Sequence, residues 1–143
     1  MRILGVDLGK RRVGLALSDP SGLLASPLET ADGRDRDGLV GLLRNRVREH
    51  RVEEVVVGLP LRTDGSEGPE ARAAREFAGR LAGVLGLPVH LQDERLTTTQ
   101  AHRSMSEAGA RGRERREAVD RVAAVLILQA FLDRRRPREE DPW

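Results

Sequence analysis

An α/β domain, built on a mixed sheet with helices on both faces, is predicted by three features of this 143-residue chain. The first is a pair of short apolar runs, "RILGVDLG" and "RVGLALSD", joined by a tight basic turn, with "LLASPLETA" as a third run after them. Apolar runs bounded by turn residues in this way form an antiparallel meander. The second is "EEVVVGLP", apolar without interruption, as a strand covered on both faces must be. The third is alternation: stripes at helical spacing stand before that strand and between it and "LPVHLQDE". Strands separated by helices run parallel through crossovers.

Each element has its own signal. Pro27 marks the third run as an edge strand or an irregular one. Leu39, Val40, Leu43 and Val47 form the apolar stripe of a first helix, with arginines opposite. In "LRTDGSEGPE", Asp64-Gly65 is turn chemistry and Pro69 suits the first position of a helix. Ala74, Phe77, Ala78, Leu81 and Leu85 are that second helix's stripe, and Gly86 ends it. Thr97 and Gln100 have capping-box spacing, so a third helix is expected to start there and stop at Gly109. "GARGRERRE" reads as a polar, glycine-punctuated link. From about Ala118, "AVDRVAAVLILQAFL" is apolar almost all round and predicts a largely buried helix. Residues 1–135 should form one domain, with 136–143 a charged, frayed tail.

Composition narrows the function. Charged residues make up 34% and hydrophobic residues 38%, the balance of a soluble globular domain with a modest core. No apolar stretch approaches the roughly 18 residues of a membrane span, and no signal-peptide pattern opens the chain, so a cytoplasmic location and no membrane partner are expected. The absence of cysteine removes thiol nucleophiles, disulfides and cysteine-based zinc sites. Net charge is only +2, so positive charge matters where it clusters. Aromatics are Phe77, Phe131 and Trp143, too few for base-stacking platforms.

Acidic residues fall where burial makes charge costly. Asp7 ends the first strand, Asp93 and Glu94 end "PVHLQ", and Asp120 lies in the last helix ahead of Ala123 and Ala124, whose small side chains allow a close approach to the sheet. One buried carboxylate would take up a proton, whereas several converging ones invite a divalent cation. An oxygen-only donor set favours Mg²⁺ or Mn²⁺ over zinc. Two such ions can activate water and stabilise the leaving oxygen of a phosphodiester. Gly9, Lys10, Arg11 and Arg12 in the first turn, together with Arg95, Thr97, Arg111, Arg113, Arg115 and Arg116, would hold the nucleic-acid backbone. Plainer roles are open to the same residues. Asp7 could cap a hairpin, Asp93-Glu94 could favour a helix start, and Glu94 could pair with Arg95 or Arg103. Arg111–Arg116 could be a solvated face. His50, His90 and His102 lack metal-ligand spacing.

"GVDLGKRRVGLALSD", "VVVGLPLRTDGSEGP", "DERLTT" and "DRVAAVLILQAFL" resemble, in this order, the motifs of the YqgF family, bacterial RNase H-like proteins associated with pre-16S rRNA cleavage and with Holliday junction resolvases. The resemblance implies an RNase H-like fold with five strands in the order 3-2-1-4-5, strand 2 antiparallel. It implies a cytoplasmic, divalent-metal endonuclease acting on structured nucleic acid at the 5′ end of pre-16S rRNA, in contact with the ribosome or its precursor, as a monomer or weak homodimer. A resolvase-like DNA endonuclease and a non-catalytic assembly factor are the alternatives. Carried over, the catalytic and metal-binding acids are Asp7, Glu94 and Asp120, with Asp93 the other member of its pair. Thr97 stands where serine is usual, and Arg62-Thr63 where many relatives have a bulkier apolar residue. True junction resolvases carry a carboxylate at the end of the fourth strand, a position that here falls in the uncharged "VVVGLP".

Overall fold

In the computed structural model, which describes residues 1–96 and 112–136, five strands form one sheet in the order β3-β2-β1-β4-β5. These strands are β1 (Arg2–Leu8), β2 (Arg12–Ser18), β3 (Ala25–Asp32), β4 (Val52–Leu59) and β5 (Val89–Asp93). β2 runs antiparallel to β1 and β3, while β4 and β5 run parallel to β1 and to each other. The expected topology is thus the observed one. Pro27 lies on edge strand β3, where the β2–β3 register shifts between Leu15 and Ala16. A proline costs no ladder bond there.

Two helices cover one face: α1 (Arg36–His50) and α2 (Pro69–Leu85). Asp35 caps α1 by accepting from the Gly38 amide, and Gly86, at φ +65°, closes α2 in the left-handed conformation that glycine adopts without steric cost. Leu39 and Leu43 of α1 and Ala74, Phe77 and Leu81 of α2 pack on Leu4, Val6, Leu15, Val55 and Val57 of the sheet. Burial of each large aliphatic side chain contributes roughly 1.5–3 kcal/mol.

The last helix, α3 (Arg113–Arg135), covers the opposite face. Its Ala124, Ile127, Leu128 and Leu132 pack on Ile3, Ala16 and Val56. The sequence expectation needs two corrections here. The helix starts at Arg113 and not near Ala118, because the run taken for a link is helical and carries an i,i+4 pair, Arg113 Nε to Glu117 Oε1 at 3.0 Å. It is also buried on one face only, since Val122 is 41% exposed. The early start places Asp120 beyond the first turn, where the helix dipole does not favour an acid. The helix expected over 97–109 lies outside the described residues.

Close packing of α3 depends on the strands as well as on its own alanines. A Cβ added to Gly14 of β2 would collide with the Asp120 carbonyl, and one added to Gly58 of β4 would stand 2.6 Å from Ile127 Cδ1. At these two positions the sheet needs an absent side chain.

Candidate active site

Asp7 is the last residue of β1 to face α3: side chains alternate along the strand, and Ile3 already packs against that helix. Its carboxylate is 6% exposed. On one side its ladder partner is Gly14. On the other, one step beyond the Val6–Val57 pair, β4 presents Gly58. Neighbouring strands lie about 4.8 Å apart. Asp7 is therefore flanked by two positions without side chains, and an acidic residue fills the space above each.

Above Gly14 lies the Asp120 backbone. Above Gly58 lies Glu94, whose Oε1 stands 2.8 Å from where a Cβ would be. Glu94 opens the single 3₁₀ turn Glu94–Leu96 that ends β5, and it is 1% exposed. The uncharged end of β4 thus receives a carboxylate from the next strand.

Asp93 behaves differently. Its ladder partner is Leu59, and Arg95 holds both its oxygens: the Arg95 amide and Nη2 each donate at 2.9 Å. Burial pushes the Asp93 carboxyl up, but those hydrogen bonds outweigh it and hold the group below the usual carboxylate range. Arg95, foreseen as a partner of Glu94, pairs with Asp93; Arg103, the other partner foreseen, lies outside the described residues.

Asp120 is engaged as well. Arg12 Nε donates to its Oδ2 at 2.7 Å, across 108 positions of sequence. Among the described residues, no three acidic or histidine side chains stand close enough to share a metal ion in this arrangement. The donor chemistry nonetheless fits a hard cation, with carboxylates alone around Asp7 and no thiol or imidazole.

Asp7 and Asp120 line one open cleft of about 700 Å³ together with Gly9, Lys10, Arg11, Arg12 and Arg36. Leu8, Pro60, Pro69, Glu70 and Ala73 form the rest of its wall. Beyond the β1–β2 turn, Arg11 and Arg12 also border a second groove of about 330 Å³ with Thr30, Arg34, Arg113 and Arg116. In that groove Arg34 is held by Asp32, and Arg113 by Glu117. Arg115 is exposed and lines neither. Thr97 and Arg111 lie outside the described residues. The sequence reading did not single out Arg36, Thr30 or Arg34: their role comes from α1 and β3 packing beside the turn, which no local spacing signals.

Comparison with known proteins agrees with this architecture. A family model described as "RuvX: Holliday junction resolvase" matches residues 1–134. A protein of Moorella thermoacetica, provisionally named a pre-16S rRNA nuclease, is 49% identical over 134 residues, covering 94% of this chain and 96% of its own. One of Myxococcus xanthus under the same name is 46% identical over 141 residues, covering 99% and 93%. Among solved structures, Thermus thermophilus RuvC gives a TM-score of 0.52 at 18% identity, covering 94% of this chain and 96% of that one. The fowlpox virus Holliday junction resolvase gives 0.54 at 13%, covering 94% and 99%. Those two structures establish the RNase H-like fold. With its motifs, its strand order and almost its full length matched, the chain belongs to the RuvX family, the same family that its YqgF-like motifs resemble.

Proposed function

We propose that this protein is a divalent-metal-dependent endonuclease that hydrolyses phosphodiester bonds in structured nucleic acid, and that its substrate is the 5′ end of pre-16S rRNA. The observation that carries the reading is Asp7, seated between two glycines, with Glu94 above one and Asp120 above the other. Mg²⁺ or Mn²⁺ held by Asp7, Asp120 and Glu94 would supply an activated water and charge stabilisation at the leaving oxygen.

The chain's own residues do the rest. Lys10 and Arg11, exposed on the β1–β2 turn, meet the backbone phosphates at the mouth of the cleft. Arg12 has two alternatives: in the free protein it neutralises Asp120, and with a strand in the cleft a phosphate oxygen takes its place. That exchange releases Asp120 toward Asp7 and keeps both charges compensated throughout. Burial of Asp7 and Glu94 limits solvent around the reacting bond. A cytoplasmic setting and contact with a pre-ribosomal particle belong to the same reading.

The 5′-precursor rRNA reading draws on the names of relatives at 46–49% identity. The family description favours branched DNA as a second reading. The test is a cleavage assay with a 5′-extended 16S rRNA fragment and a four-way DNA junction side by side, in Mg²⁺ and in EDTA. Metal-dependent cutting of the RNA is expected, falling by about two orders of magnitude or more in Asp7→Asn. Preference for the junction would transfer the assignment to DNA. Cutting that persists in Asp7→Asn would remove the mechanism.

A further inference from the structure

Arg36 begins α1 and reaches the same cleft beside the β1–β2 turn, where Gly33 lies between its Nη1 and the Gly9 carbonyl. Its guanidinium carbon lies 5.7 Å from the centroid of the Phe77 ring, so α2 supports the side chain. Its Nη1 is buried beside Gly33 and makes no hydrogen bond. Three other arginines with partly covered side chains are matched with acids: Arg12 with Asp120, Arg46 with Glu29, Arg95 with Asp93. Among the described residues Arg36 pairs with no carboxylate, and burial pushes its pKa down with no neighbouring acid to offset it.

A guanidinium nitrogen drawn out of water and left without an acceptor is destabilising in the free protein. An arginine whose only task was structural would be cheaper as a paired one, or as an apolar residue against Phe77.

We infer that Arg36 is a nucleic-acid contact, holding a backbone phosphate of the strand that lies in the cleft, next to the phosphates held by Lys10 and Arg11. The inference rests on the nuclease reading and extends the cationic wall of the cleft from the β1–β2 turn onto the start of α1, so that the strand follows both. Arg36 is thereby a positioning contact of its own, outside the group that meets the metal.

Binding decides this independently of cutting. In full-length protein carrying Asp7→Asn, the affinity for a fluorescein-labelled RNA duplex with a 5′ single-stranded extension is measured by anisotropy across a salt series. Arg36→Gln is expected to weaken binding about tenfold and to lower the slope of log affinity against log salt by about one, with an unchanged thermal midpoint. Arg36→Lys should restore most of the slope, since the charge returns. Should Arg36→Gln lower the midpoint, Arg36→Met, which keeps the apolar stem on Phe77, replaces it under the same expectations. Parental affinity and slope in these variants, alongside losses in Arg11→Gln, would overturn the role of Arg36 while leaving the nuclease reading intact. Absence of salt-dependent binding in the parent itself would overturn both.

Discussion

Arg95 holds Asp93 through both carboxylate oxygens, whereas Glu94, next in the chain, is buried and turned toward Gly58 beneath α3. A tetrad of "DERL" alone leaves open which acid serves the site. Position separates them, because Glu94 stands over Gly58, next to Asp7 across the sheet, whereas Asp93 is turned to Arg95. In single-turnover assays, Asp93→Asn is expected to cut within a fewfold of the parent, while Glu94→Gln loses about 100-fold or more. The reverse order would exchange their roles. The positions of Asp7 and Asp120 were legible from the sequence, one at a strand end and one on an otherwise apolar helix. The Arg12–Asp120 pair was not legible, because partners 108 residues apart meet only once α3 lies over β2.

Helix α3 positions Asp120, and its far end is fastened by a buried charge cluster. Glu54 of β4 is 6% exposed; Arg135 forks onto both its oxygens, and His90 Nε2 lies 3.0 Å from Oε1. The Phe131 ring sits 5.0 Å from that of His90 and 4.9 Å from the Arg135 guanidinium carbon. Hydrogen bonding from Arg135, against the opposing effect of burial, holds the Glu54 carboxyl below its ordinary 4.5. The unfolded chain therefore binds the proton more readily. The stability contributed by Glu54 is complete above the unfolded pKa and is lost as pH falls through the folded one. Glu54→Gln is expected to destabilise by about 1–3 kcal/mol at neutral pH and to flatten the decline of stability below about pH 4.5 in urea melts. An unchanged acid limb would show that Glu54 does not carry it. Strands and helices were readable here from periodicity; the start of α3 was not, because "RERRE" has the composition of a link, although as a helix it carries the Arg113–Glu117 pair. The close approach of α3 was attributed to Ala123 and Ala124, but Gly14 and Gly58 share it from the sheet side, and a glycine in an apolar strand announces nothing until its neighbour is known.

At the scale of the whole molecule, the fold divides the work between two faces. α1 and α2 build the larger core on one side of the sheet, while α3 covers the other and brings Asp120 over β2, beside the end of β1. The cations line the same end, from Arg36 across the β1–β2 turn to Arg113 and Arg116. Binding through so many phosphate contacts should fall steeply with salt. The acids that this arrangement gathers are read as the holders of a divalent ion, with Arg12 occupying Asp120 until a phosphate displaces it. Titration of Mn²⁺ into the nucleic-acid-free protein, followed by electron paramagnetic resonance, addresses this directly. Binding should be weak in the parent, abolished in Asp7→Asn, and several-fold tighter in Arg12→Gln, where Asp120 is released. Equal Mn²⁺ binding by the parent and Asp7→Asn would contradict the assignment of these carboxylates to a metal.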